Sequence, residues 1–342
     1  MKDTREITSI TIMAILILSA VFAAACSLSI PWKGNKGSES IHTGKQGLAV
    51  QFLPNAPPSN IFAEDFFQIG LRVTNKGVAN ITNGVLAINV DDALMRIAGW
   101  ESYNDYLFSL GGGAGQLVNF KFPGKNVLYP DGIDELLYMN LQAKGIDPRI
   151  NDVKTQVIIT SCYDYKTEFI ESVCIEAGKF MPNAPTACTA SPISSSSGQG
   201  APVVITRVEV DTLTSGSDYA RPQFTIYIEN AGNGRVISDK GMREACSSGA
   251  IGKEESNILK VEEIQFSDFR FTSNDIKCNP LTEDYMVRLK HDPLTTDKAI
   301  LRCTLEPNRL RADAGNYETP LYMRLSYGYT ESVTKEVVIE QP

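Results

Sequence analysis

Residues 67–77 read Phe67-Gln68-Ile69-Gly70-Leu71-Arg72-Val73-Thr74-Asn75-Lys76-Gly77, and residues 224–232 read Phe224-Thr225-Ile226-Tyr227-Ile228-Glu229-Asn230-Ala231-Gly232. In both stretches apolar side chains largely alternate with polar or small ones. A period near two is that of a β-strand with one face on a core and the other in water. Each run ends in Asn-x-Gly, read as a tight turn in which glycine supplies positive φ. Laid over each other at an offset of 155, Ile69, Leu71, Val73, Asn75 and Gly77 meet Phe224, Ile226, Ile228, Asn230 and Gly232.

The duplication extends outward from these strands. Residues 137–176 lie on 301–340 without a gap at an offset of 164, so that Leu137, Leu141, Thr155, Tyr163, Tyr165, Val173, Ile175 and Glu176 meet identical residues. The two offsets differ, so the second copy has the longer middle. Other runs have strand character too: Val203 to Val210 is β-branched everywhere except Arg207 and Glu209. Turn signals recur at Asn83-Gly84, Asp131-Gly132 and Asn233-Gly234. The helical candidates are short, at 91–100 and 102–108. The chain is expected to be all-β, with two tandem β-sandwich domains. Tyr163 with Tyr165, and Tyr327 with Tyr329, read as strand pairs facing one core, in the manner of tyrosine-corner packing.

Before the first copy, residues 7–30 (ITSITIMAILILSAVFAAACSLSI) carry no charge. As a helix this run reaches about 36 Å, against roughly 30 Å for a hydrocarbon core. Lys2 and Arg5 precede it and Lys33 and Lys36 follow, so basic residues do not fix an orientation. Three fates fit the segment: a retained signal anchor, a lipoprotein-type signal ending at Ala23-Ala24-Ala25 with Cys26 lipidated, or a cleaved signal. Each puts the bulk of the chain outside the cytoplasm. The expected organisation is a signal segment at 1–30, a flexible stalk at 31–45 and a first sandwich at 46–180. A Pro/Ser/Gly-rich linker follows at 181–202, then a second sandwich at 203–342.

Besides Cys26 the chain has six cysteines, Cys162, Cys174, Cys188, Cys246, Cys278 and Cys303. An even number in an exported chain reads as disulfides. Three lie in the first copy and linker and three in the second, so complete pairing requires at least one bridge between halves. Cys188 is the candidate for that crossing. Cys162 and Cys174 are placed to face each other across a hairpin centred on Glu168.

The strand and turn at 71–79, repeated at 226–232, resembles immunoglobulin-like modules of the cell-adhesion-related (CARDB-like) type. The order Cys162-Tyr163-Asp164-Tyr165, Val173-Cys174-Ile175, Cys188 and then 198–203 is similar to that of uncharacterised archaeal surface proteins. This resemblance implies an extracellular module and carries no catalytic residue across.

Composition narrows function further. With 32 Lys+Arg against 40 Asp+Glu the net charge is −8, which disfavours a nucleic-acid partner. Two histidines, His42 in the stalk and His291 in a turn, offer little to catalysis. Gly111-Gly112-Gly113-Ala114-Gly115 lacks the Gly-Lys-Ser/Thr ending of a phosphate loop. Asp131, Asp134, Asp147 and Asp152 lack the alternating carboxylates of a calcium loop. No cofactor, metal or catalytic residue is expected. Asn80-Ile81-Thr82 is a glycosylation sequon. The expected function is a non-catalytic, membrane-tethered structural or interaction protein of the cell surface. The alternative is a ligand-binding accessory module for carbohydrate or a metal. Expected partners are the membrane and other envelope proteins, with the oligomeric state left open.

Overall fold

The computed structural model describes residues 41–102, 108–110, 117–248, 250–282, 284–293 and 296–342. The apolar run at 7–30, Cys26, most of the stalk and the loop at 111–115 lie outside them. Among the described residues no helix is long and apolar enough to cross a membrane.

The alternation read from sequence becomes strands throughout, and the protein is all-β. One sheet runs in the order β1 (Leu48–Phe52), β3 (Phe66–Asn75), β8 (Asp134–Ala143), β5 (Met95–Ser102). A second runs in the order β10 (Ile193–Ser194), β11 (Val203–Ser215), β12 (Tyr219–Asn230), β18 (Lys298–Leu305), β16 (Ile276–Asn279). Setting aside the short β10, the two orders are the same, with β1, β3, β8 and β5 standing where β11, β12, β18 and β16 stand. The duplication is thus visible in strand pairing as well as in residues.

The largest sheet is built differently. Its path is β15 (Phe269–Arg270), β14 (Ile258–Phe266), β20 (Asn316–Glu340), β9 (Asp152–Glu176), β4 (Ile81–Asn89), β7 (Leu117–Phe122), β6 (Phe108–Leu110). At its centre β9 and β20, each of 25 residues, pair antiparallel along their whole length. Asp164 sits opposite Gly328. Since 328 − 164 = 164, the repeat offset, each of these residues is paired with its own counterpart. An approximate twofold axis therefore passes through this pair, and Tyr163 faces Tyr329 while Tyr165 faces Tyr327.

Each long strand serves both halves. The first part of β9 pairs with β4 over Ile158 to Tyr163, inside its own repeat. Its second part runs on beside the β20 residues that pair with β14 in the other repeat. The far end of β20 in turn runs along the first part of β9 and takes β2 (Asn60–Phe62) as a parallel neighbour. Most odd-numbered residues of both strands point inward, with Val157, Ile159, Phe169, Val173, Leu321, Met323, Leu325 and Val337 all buried. They join one continuous core with side chains of both smaller sheets, including Leu71, Leu137, Phe224 and Leu301.

The sheet's other face is covered near the axis. Helix α1 (Met242–Ser248) follows β13 (Arg235–Ile237), which pairs with β20. Met242, Ala245 and Cys246 pack with Ile237 on Val85, Ala87 and Cys162. A segment of the second repeat thereby lies on strands of the first.

Several local expectations are corrected. There is no hairpin between Cys162 and Cys174: 166–172 contain no glycine, asparagine or proline to turn the chain, and β20 supplies a continuous partner instead. Residues 91–94 form one turn, in which the Asp91 carboxylate accepts from the Ala93 amide at 2.9 Å and Leu94 and Met95 donate to the Asp91 carbonyl. From Met95 the chain is strand β5, held by β8, rather than helix. Most of 102–108 lies outside the described residues. Asn83-Gly84 is not a turn but a register irregularity within β4, where a Cβ on Gly84 would run into the Phe120 ring.

Candidate functional site

The most deeply built polar feature is the tyrosine cluster at the twofold axis. Tyr163, Tyr165, Tyr327 and Tyr329 are buried, with ring centroids 5.7–6.4 Å apart around the set. A phenol removed from water needs a partner, and the two repeats supply equivalent ones. Tyr163 Oη accepts from the Leu48 amide at 3.0 Å, and Tyr327 Oη accepts from that of Val203 at 3.3 Å. Tyr165 donates to Asn75 Oδ1 at 3.2 Å, and Tyr329 donates to Asn230 Oδ1 at 3.1 Å. Burial raises the pKa of all four phenols well above the ordinary value. They stay protonated and structural, and lie too deep to serve as a sugar platform.

This geometry corrects the reading of the Asn-x-Gly motif. Asn75 Nδ2 donates to the Ala79 carbonyl and Asn230 Nδ2 to that of Gly234, so each asparagine ties its turn to a tyrosine. Among the glycines with positive φ are Gly132 and Gly200, but neither Gly77 nor Gly232. Gly77 and Gly232 are glycine because a Cβ would collide with the Tyr165 and Tyr329 hydroxyls respectively.

The six cysteines form three bridges, Cys162–Cys246, Cys174–Cys188 and Cys278–Cys303. The link between halves is Cys162–Cys246, which fastens α1 to β9. Cys188 does not make that crossing: it closes a short loop back onto β9 through Cys174. Residues 181–202 are held along their length, with Ser195 and Gly200 bonded to Thr206 and Gly44. Thr43 and Gly44, at the end of the stalk, are likewise tied to Lys125 and Ser197.

The remaining expected sites are dispersed. Asn80 is exposed and accepts from the Gly124 amide at 2.8 Å. Asp147 pairs with Arg149, and His291 with Asp297 at 2.8 Å. Among the described residues no group of three or more His, Cys, Asp or Glu is arranged to hold a metal.

Two concavities gather charged side chains. One, of about 450 Å³, lies beside β13, β14 and β17 (Met286–Arg288), with Asp239, Glu254, Glu255 and Asp284 on its walls and the half-exposed ring of Tyr285 at its rim. Burial, then the nearby carboxylates of Asp164 and Glu262, raise the pKa of Asp239, against the opposing pull of Lys166 and Lys260. The other is a shallow groove of about 590 Å³ on the outer face of β1 and β3. It gathers Lys45, Arg72, Lys76 and Lys125 against Asp131 and Asp134, and Thr74 donates to Asp134.

From the rim of this groove rises the loop 126–129, for which no role was expected from sequence. Val127, Leu128 and Tyr129 are 86%, 82% and 51% exposed. The loop is nevertheless pinned. Asn126 Oδ1 accepts from the Leu128 and Tyr129 amides, and Asn126 and Tyr129 exchange backbone bonds. The signal for it was present in sequence: three apolar residues stand between Asn126 and a Pro-Asp-Gly turn, where burial has no strand to follow.

No family model matches this chain, and no curated protein matches it. Solved structures show only distant likeness. A type I cohesin–dockerin complex from Clostridium thermocellum aligns at 14% identity over 35% of this chain and 83% of that one, with a TM-score of 0.25. An Actinomyces fimbrial adhesin aligns at 9% identity over 57% and 93%, with a TM-score of 0.19. The partial N-terminal region of an enterococcal surface protein aligns at 7% identity over 88% and 96%, also at 0.19. Similarities at this level carry no weight for function.

Proposed function

We propose that the protein is a non-catalytic, membrane-tethered interaction protein of the cell surface. Its two immunoglobulin-like, CARDB-like repeats, at 46–180 and 203–342, would be presented outside the cytoplasm. The observation that carries this reading is the pairing of all six cysteines beyond Cys26, because such bridges persist in oxidising compartments. The apolar run at 7–30 supports it by offering a means of attachment. The buried hydroxyls of the tyrosine cluster are all engaged in holding the fold, which fits a structural rather than a chemical role for that cluster. The test is thiol counting in intact cells, with a membrane-impermeant maleimide applied with and without reductant after protease shaving. The six cysteines are expected to stay unlabelled until reduced, and the folded part to be reached from outside. Six reactive thiols on a protein recovered from the cytosol would overturn the reading.

The alternative is a ligand-binding accessory module. The pocket beside Asp239 favours it, since carboxylates and lysines sharing a concavity with a half-exposed tyrosine ring suit a sugar.

A further inference from the structure

We propose that the loop 126–129 and the basic groove beside it form a second membrane contact, with an anionic lipid surface as occupant. The proposal rests on the membrane-tethered reading above and adds which face of the folded part meets the bilayer.

Four observations converge on that face. The loop displays Val127 and Leu128 almost fully to solvent, yet its backbone is fixed by the Asn126 side chain, so the apolar tip is presented rather than merely unfolded. Tyr129 beside it has the amphipathic ring that settles at headgroup depth. The adjoining groove carries Lys45, Arg72, Lys76 and Lys125 against two aspartates, an excess of cations on a molecule of net charge −8. Apolar insertion flanked by lysines is the chemistry that holds peripheral segments on anionic bilayers.

The fourth observation concerns the chain itself. Gly44, Lys45 and Gln46 line this same groove, and Lys125 Nζ donates to the Thr43 carbonyl at 2.9 Å. Residues 41–45 end the stalk that follows the apolar run. Ten residues lie between Ile30 and Ile41, so even a fully extended chain lets Gly44 stand no more than about 50 Å from the end of the run. A protein partner would have no comparable reason to meet the chain at this point.

The test uses the full chain reconstituted into phosphatidylcholine vesicles with and without phosphatidylglycerol. Trp32 and Trp100 are replaced by Phe, and a single tryptophan reporter is introduced as Leu128→Trp or, for control, as the exposed β18 position Ile300→Trp. Bromination of the lipid chains is expected to quench the Leu128→Trp reporter strongly in vesicles containing phosphatidylglycerol, and to leave the Ile300→Trp reporter unchanged. Lys45→Glu with Lys76→Glu should restore the lost emission. Protein that floats with the vesicles while both reporters respond alike would overturn this contact and leave the tether standing. Protein that does not float at all would overturn the tether and the contact with it. Shielding of the Leu128→Trp reporter that follows protein concentration, not lipid, would mean that a second copy covers the loop, and would also overturn the proposal.

Discussion

At the scale of single residues the two Asn-x-Gly motifs and the four tyrosines form one device used twice. Glycine leaves room for a phenol, asparagine holds its hydroxyl, and a strand-edge amide holds the neighbouring tyrosine. Gly77→Ala or Gly232→Ala places a methyl against a hydroxyl and also against neighbouring groups, the Gly200 carbonyl or Pro202. Overpacking of this kind costs about 1–3 kcal/mol, and the midpoint of urea unfolding measures it. Gly77→Ala combined with Tyr165→Phe should cost less than the sum of the two, because the phenol oxygen is the nearest of the colliding atoms. Additive losses would place the strain at the Gly200 carbonyl instead. The tyrosines also set an alkaline limit. They ionise near pH 10 in the unfolded chain, whereas burial raises their folded-state pKa values. The stability they contribute is therefore complete below about pH 10 and is lost as pH climbs toward the folded-state values. Melting temperature should fall progressively above that point, and a flat profile there would show that the phenols reach water in the folded state. The motif itself was plain in the sequence. Its cause was not, since a Cβ clash with a residue 88 positions away (165 − 77) leaves no local trace.

At the scale of elements the defining feature is the pairing of β9 with β20. Alternation foretold strand character on both sides of Glu168, and the expected hairpin would have satisfied the same alternation. What the strands do instead is remain straight and borrow each other as partners. The disulfides follow this arrangement. Cys162–Cys246 spans 84 residues and Cys174–Cys188 spans 14. On loop-closure entropy, removing the first should cost more than removing the second by about 1.6 kcal/mol. Denaturant unfolding of the Cys162→Ala/Cys246→Ala and Cys174→Ala/Cys188→Ala pairs gives the comparison. Equal losses would mean that α1 holds its place by packing alone. Helix α1 went unread because seven residues make too short a run for a helical period to stand out from the loops around it.

At the scale of the whole molecule the repeats are interlocked. A protease site inserted after Ser191, an exposed position, would separate the chain into its two halves. The pieces are expected to elute as one particle in gel filtration even under reducing conditions, because β9 and β20 share hydrogen bonds along 25 residues. Separation on reduction alone would assign the cohesion to Cys162–Cys246. Expressed by itself, 203–342 would leave half of β20 as an unpaired edge, a surface that invites association, and light scattering should find it as oligomers.

What repeats is written in the linear chain: the period of two, the offsets of 155 and 164, the tyrosine pairs and the odd division of cysteines. These are local or self-referring properties, since a strand's buried face is written in its own alternation. Which strand pairs with which is fixed only when the whole chain packs. A straight β9 and a folded-back hairpin bury the same side chains and satisfy the same backbone groups, so the choice between them rests on contacts with β20, almost half the chain away. The groove and the loop at 126–129 were decided at that level too, because lysines from 45, 76 and 125 gather only once β1, β3 and the β7–β8 connection meet at one end.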